Sequence, residues 1–419
     1  MKGQEMNSLA KKIVIALSLL VVAYVTTGYV RARSSSNDKA FRALTVYSEV
    51  LGSIQRYYVD DPNMHKVDAG ALHGLVDSLD PQSGYMSPLE YADYKKETEA
   101  NPAAGSGLTL TKRDGYISVI SALPNSPGAK AGLQFGDIIE RLAGFTTAQM
   151  TIDQAQMLLS GAPGKVVKLS VIKMSAIRRG ETGSQAVDIT LEKIPAPKLV
   201  QTRLQDGVGY IRVPAFDNGT SKQIREALLR LRQQGAHKLV VDLRDCSSGA
   251  AKEAIETAQL FLQSGTITTL KGQTVSAETS SADPSKVVWT DPVSVLIGNS
   301  TAGPAEIFAS AIGDNHRGET VGDRTYGTAS MQKVIPLDDG AALVLTVANY
   351  YTPNGKEIPL TGVVPTVVVR NTPDSYAQLE QVGPPTPPPG QVVAPNDPVL
   401  KKALDTLQNS GASQQKKAA

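Results

Sequence analysis

The chain has 419 residues, a formal net charge of +2 and 20% charged residues. That length holds two or three domains, and the near-neutral charge gives no electrostatic case for a nucleic-acid partner. One cysteine, Cys246, excludes an intramolecular disulfide, and four histidines without metal-ligand spacing give no case for a metal or any other cofactor.

In chain order, Lys2, Lys11 and Lys12 precede an apolar run over residues 13–30, and Arg31 and Arg33 follow it. Such a run approaches the length of a membrane span, and its basic flanks mark residues 1–33 as a signal anchor. Val30-Arg31-Ala32 offers a loose cleavage site, so a removed signal peptide is the alternative. In both cases the chain is exported. The expected location is the cell envelope, anchored in the inner membrane, with the globular part periplasmic or extracytoplasmic. Residues 40–100 open with apolar positions at helical spacing, including Leu44, Val50, Leu51, Ile54, Leu72, Leu75 and Val76. They predict two helices joined by Val59-Asp60-Asp61-Pro62-Asn63.

Residues 101–192 form the next block. Gly105-Ser106-Gly107-Leu108 is followed by a strand at 116–120, by Pro127-Gly128-Ala129-Lys130-Ala131-Gly132-Leu133 and by Phe135-Gly136-Asp137-Ile138-Ile139. A helix is predicted over 151–159, capped at Thr151, and an alternating strand over 166–172. These motifs resemble a PDZ domain, with Ser106 where the carboxylate-binding loop usually has an apolar residue. The resemblance implies a groove in which an extended peptide adds a strand and the glycine loop holds its terminal carboxylate.

Ile194-Pro195-Ala196-Pro197 is a stiff linker. A core domain over 198–370 follows. It predicts a strand at 208–213, a helix at 221–234 capped by Thr220, a buried strand at 238–243, a helix at 252–263 and a strand at 266–270. The helix between two strands is a βαβ unit with a parallel pair. A polar loop over 276–286 leads to the strand at 292–297, a small-residue loop from Gly298 to Gly303, and a helix starting at Pro304. A second strand is predicted over 321–335 and another over 342–347. Residues 371–419 read as a Pro-rich tether, a short helix at 397–407 and a disordered tail after Asn409.

Five stretches of this chain resemble the C-terminal processing peptidases (tail-specific proteases), serine endopeptidases with a Ser-Lys dyad. They are Leu79-Asp80-Pro81-Gln82-Ser83-Gly84-Tyr85, Asp242-Leu243-Arg244, the loop Ser300-Thr301-Ala302-Gly303-Pro304-Ala305-Glu306, the strand Tyr326-Gly327-Thr328-Ala329-Ser330-Met331-Gln332, and Tyr350-Tyr351-Thr352-Pro353-Asn354-Gly355-Lys356. The resemblance implies a mixed α+β chain: an N-terminal helical segment, a PDZ domain and a ClpP/crotonase-like α/β core with parallel βαβ units. It places the family's nucleophilic Ser on Gly303 and its base Lys on Thr328, and keeps its Gln as Gln332. In the oxyanion loop Ser248 replaces a Gly, Gly249 remains, and the Cβ of Ser248 is expected to restrict the backbone.

Gly303 has no side chain to attack a carbonyl, and Thr328 is no general base near neutral pH. The expectation is therefore an exported member of the family that is non-catalytic and binds extended or C-terminal peptide segments as scaffold or regulator. The rival is an active endopeptidase with relocated residues, Ser300 and Lys333. Ser300 and Thr301 are otherwise expected to cap the helix, and Cys246 to be a buried, inert residue. Expected partners are polypeptide segments or protein C-termini, a second copy through the helical segment or an active relative, and the membrane through the N-terminal helix.

Overall fold

The computed structural model describes residues 41–100, 103–148, 150–181, 183–195, 198–203, 205–369 and 397–417, together with Ser18. The expected anchor, apart from Ser18, and the Pro-rich segment before residue 397 lie outside the described residues. Among the described residues no helix is long and apolar enough to cross a membrane.

The chain divides into two units, Met1–Ala71 and Leu72–Ala419. In the first, a helix over 41–57 carries exposed Phe41, Leu44, Val46 and Val50. A further helix, Met64–Asp77, follows after residues 58–63, as the spacing predicted. The helix Pro88–Ala100 has no buried residue, so its sequence carries no apolar stripe. Its only signal is Ser87-Pro88-Leu89-Glu90, in which Glu90 accepts from the Ser87 amide at 2.7 Å, half of a capping box.

The PDZ domain is a five-strand antiparallel path with one short hairpin strand, Phe145–Thr146, added to its middle. Its first strand, β1 (Leu108–Arg113), pairs on one side only, with Tyr116–Ala122. The helix α1 (Ile152–Leu158) packs beside β1 and begins with a complete capping box, Thr151 with Gln154.

The core is a parallel sheet in sequential order: β2 (Val208–Arg212), β3 (Lys238–Asp242), β4 (Val293–Ile297), β5 (Glu319–Gly322) and β6 (Val367–Val368), with Val200–Arg203 antiparallel at the β2 edge. Side chains alternate across it. Ile211, Val241, Val295 and Ile297 join the cluster that includes Leu228, Ala254 and Phe308, from the helices α2 (Thr220–Gln233), α3 (Ala251–Gln259) and α4 (Pro304–Asp314). Tyr210, Val240, Leu296 and Val321 face the other way and meet Val399, Leu400, Ala403 and Leu407 of α5 (Pro398–Lys417). Both faces are thus covered, as a parallel sheet requires. A second sheet is built around the long strand Ala342–Tyr351, which pairs with Gly84–Met86, Thr266–Lys271 and Ser330–Pro336.

Five expectations need correction. The strand predicted over 321–335 is two strands, β5 and Ser330–Pro336, because Gly322 and Gly327 take positive φ and the loop between them turns inward. The polar loop at 276–286 contains a strand, Glu278–Ser281, paired with Thr266–Lys271. The helix predicted to end at 263 ends at Gln259. Thr220 does not cap α2: Gly219 holds that position, and Glu253 accepts from the Gly219 and Ser221 amides at 2.8 and 2.9 Å. The C-terminal helix continues to Lys417, through the stretch expected to be disordered.

Candidate functional site

The site lies at the C-terminal ends of β3 and β4, where their following loops meet. Thr301 ties the two loops together. Its hydroxyl accepts from the Gly298 amide at 3.0 Å and donates to the Leu243 carbonyl at 2.8 Å. Thr301 therefore does not cap α4, contrary to expectation, and among the described residues Ser300 makes no helix-capping bond. Glu306 does the capping, from the third position of the helix.

Glu306 is fully buried and is bonded from four sides. One carboxylate oxygen accepts from the Thr325 hydroxyl at 2.5 Å and the Gly327 amide at 2.6 Å. The other accepts from the amides of Gly303 and Thr328, both at 2.8 Å. Burial pushes its pKa up to about 7, against these four donors, which favour the charged form. One carboxylate thus fixes the backbone at both positions where the dyad was expected.

Gly303 stands at φ 57° and ψ −119°, a conformation that residues with a Cβ rarely adopt. A Cβ built on it would meet only the Thr328 hydroxyl, at an ordinary contact distance of 3.9 Å. The two positions face each other. Pro304 follows at the first helical position and has no N–H. In nucleophile turns the amide after the nucleophile is one of the oxyanion donors. Pro304 has no amide to offer in that position, a feature that sequence reading took only as a helix-start signal.

The loop expected to carry the other oxyanion donors has the following geometry. Ser248 does not take a positive φ, so its Cβ fits the loop and does not restrict it. The conformational demand falls on Gly249, at φ 113°, where a Cβ would lie 2.3 Å from the Phe216 carbonyl. Among the described residues the amides of Ser248 and Gly249 have no acceptor. Cys246 is fully buried, and burial first, then Asp217, Asp245 and Asp242, push its thiol pKa up. It is not an activated nucleophile.

Gln332 is exposed on the strand after Thr328 and donates to Ser330 and Thr346 at 2.7 and 3.4 Å. Thr346 in turn donates its hydroxyl to Asp80 and its amide to the Ser83 hydroxyl, so the Leu79–Tyr85 motif clamps the second sheet beside Gln332. Of the rival pair, Lys333 is exposed and shares no hydrogen bond with Ser300 among the described residues.

In the PDZ domain, Gly105, Ser106, Gly107 and Leu108 lie where β1 begins, but most of their amides are engaged. Gly105 and Ser106 donate to the carbonyls of Glu192 and Leu159, both at 3.0 Å. The Ser106 hydroxyl, itself buried, accepts from the Leu108 amide at 3.3 Å. Gln156 of α1 reaches across to the Leu108 carbonyl at 3.2 Å. Lys112 on β1, buried, forms an ion pair with the half-buried Asp77 at 2.7 Å. The domain also touches the loop after β3, through Ser121 and Ser247, and Phe135 packs edge-on against Tyr326.

Two family models match the chain: the one for peptidase family S41 over residues 207–369 and the one for the PDZ domain over 118–173. The carboxy-terminal processing protease CtpA of Bacillus subtilis is 30% identical over 87% of this chain and 78% of its own length. The carboxy-terminal-processing protease of Bartonella bacilliformis is 28% identical over 86% and 82%. Among solved structures, the photosystem II D1 C-terminal processing protease superposes with a TM-score of 0.64 at 23% identity, covering 80% of this chain and 96% of that one, which is a likeness of fold.

Proposed function

From the fact that this chain belongs to the C-terminal processing proteases of peptidase family S41, we propose that it has kept the frame of that family and lost its chemistry. It binds extended or C-terminal peptide segments without cutting them, as a scaffold or a regulator of an active relative. The observation that carries this reading is Gly303: the backbone is held as a nucleophile would need it, with no side chain, opposite a threonine and before a proline. Loss of a nucleophile or base in such an assembly costs on the order of a millionfold in rate. Peptide would enter beside β1, replacing the Gln156 amide at the Leu108 carbonyl. Export and membrane anchoring through residues 1–33 are part of the proposal, resting on the basic-flanked apolar run. So is self-association through the exposed apolar residues of helix 41–57.

The test is incubation of residues 34–419 with an unfolded protein that ends in apolar residues. Retention of the substrate intact, with measurable binding, is the expected result. Cleavage that disappears in Ser300→Ala or Lys333→Ala would establish the relocated dyad instead.

A further inference from the structure

The helix α5 is joined to the rest of the core differently from the other helices. Three helices cover one face of the parallel sheet and follow their strands closely in sequence. The opposite face is covered by α5, reached through residues 370–396. That connection leaves from Val369, whose amide donates to the Gly322 carbonyl, and α5 returns to the same place: a Cβ on Gly322 would lie 3.5 Å from Val399. The two ends of that connection therefore lie close together.

The helix itself is shaped as a ligand for this face. Val399, Leu400, Ala403 and Leu407 form one buried stripe, while Lys401, Lys402 and Asp405 are exposed. Asp397 leads it and acts twice. One carboxylate oxygen caps the helix through the Val399 and Leu400 amides at 3.1 and 3.0 Å. The other pairs with Arg244 at 2.7 Å. Arg244 is also held by Asp242, at 2.6 Å, and its side chain passes 4.0 Å from where a Cβ on Gly298 would sit. It stands at the root of the 244–249 loop, between that loop and the one leading to Gly303. Asp397 is thus one residue removed from the two loops that make the candidate site.

We propose that the sheet face under α5 is a helix-binding groove, filled in cis by the chain's own C-terminal helix as a detachable clip, and that Asp397 positions the 244–249 loop through Arg244. Occupied, the groove holds the Ser248 and Gly249 amides in the arrangement described. Vacated, it frees Arg244 to follow Asp242 alone and lets the loop move. This does not depend on whether the site is catalytic or on what the PDZ domain binds.

The experiment uses residues 34–419 with a site-specific protease recognition sequence placed within residues 380–390. After cutting, dilution should release the helix, and a synthetic peptide of residues 397–417 should rebind one to one. Exchange of the Cys246 amide, which donates to the Leu243 carbonyl at 3.0 Å, should quicken at least tenfold on release, while exchange in Tyr116–Ala122 stays unchanged. In the uncut protein, Asp397→Asn keeps the cap and removes the charge. It should quicken exchange at Cys246 with little change in Tm, and Asp397→Glu should restore it. The proposal is overturned if the cut helix leaves only on global unfolding, or if exchange at Cys246 does not respond to its release or to Asp397→Asn.

Discussion

Gly303 and Thr328 face each other across a gap that neither fills: a Cβ on the glycine would lie 3.9 Å from the threonine hydroxyl. Both amides are held by the same oxygen of Glu306. On the proposed reading, the backbone of a two-residue reaction centre is kept while the side chains that would react are absent.

Side chains at Gly303 should be tolerated sterically and resisted conformationally. At φ 57° and ψ −119° a Cβ costs about 1–3 kcal/mol, and nothing nearby adds a clash. Gly303→Ala is expected to lower the free energy of unfolding by that amount, measured by denaturant titration.

The loop after β3 should respond in the opposite order to its apparent degeneracy. Gly249→Ala drives a Cβ into the Phe216 carbonyl and should destabilise by more than about 3 kcal/mol, the range of a severe backbone conflict. Ser248→Gly should change stability by under about 1 kcal/mol, the entropic penalty of an added glycine. Paired thermal melts decide it.

Much of this arrangement is readable from residue types and spacing. The glycines, Glu306 and Gln332 pin the register, the Leu79–Tyr85 motif marks the chain's return to the second sheet, and the buried run of β3 announces a parallel strand. What escaped is of another kind. The helix Pro88–Ala100 buries nothing, so periodicity has nothing to report. The cap of α2 comes from Glu253, on the following helix, and a contact across that separation leaves no local trace. Pro304 reads as a helix start, and its lost donor acquires meaning only beside Gly303 and the free amides of Ser248 and Gly249.

Titration should expose the two buried carboxylates at opposite ends of the pH scale. Burial raises Glu306 to about 7 from 4.5, so the folded state binds the extra proton between these values. Its stabilising contribution is full below pH 4.5 and is lost as pH rises through 7, by about 3 kcal/mol. For Asp242, burial is outweighed by Arg244, with Arg212 and Tyr210 adding to it, and the carboxyl falls to about 2 from 3.8. Its contribution, about 2 kcal/mol, is present above pH 3.8 and is lost as pH falls through 2. Denaturant midpoints from pH 2 to 8 should therefore peak near pH 4–5, and Glu306→Gln should flatten the neutral limb.

Peptide binding in the PDZ groove competes with Gln156. Removing one neutral hydrogen bond that the ligand must replace is worth about 1 kcal/mol. Gln156→Ala should therefore tighten binding of an apolar C-terminal peptide roughly fivefold in a fluorescence titration. Weaker binding would place the peptide elsewhere.

The proposed loss of catalysis is tested most directly by rebuilding the dyad. Gly303→Ser with Thr328→Lys supplies a hydroxyl and an amine, but Pro304 still withholds an oxyanion donor. One such donor is worth about 10²–10³ in kcat. Cleavage of an unfolded, apolar-tailed substrate should be absent in the wild type, marginal in the double variant, and faster by that factor once Pro304→Ala is added. A wild type that cleaves as fast as the triple variant, or a triple variant no better than the double, would contradict the assignment of these three positions.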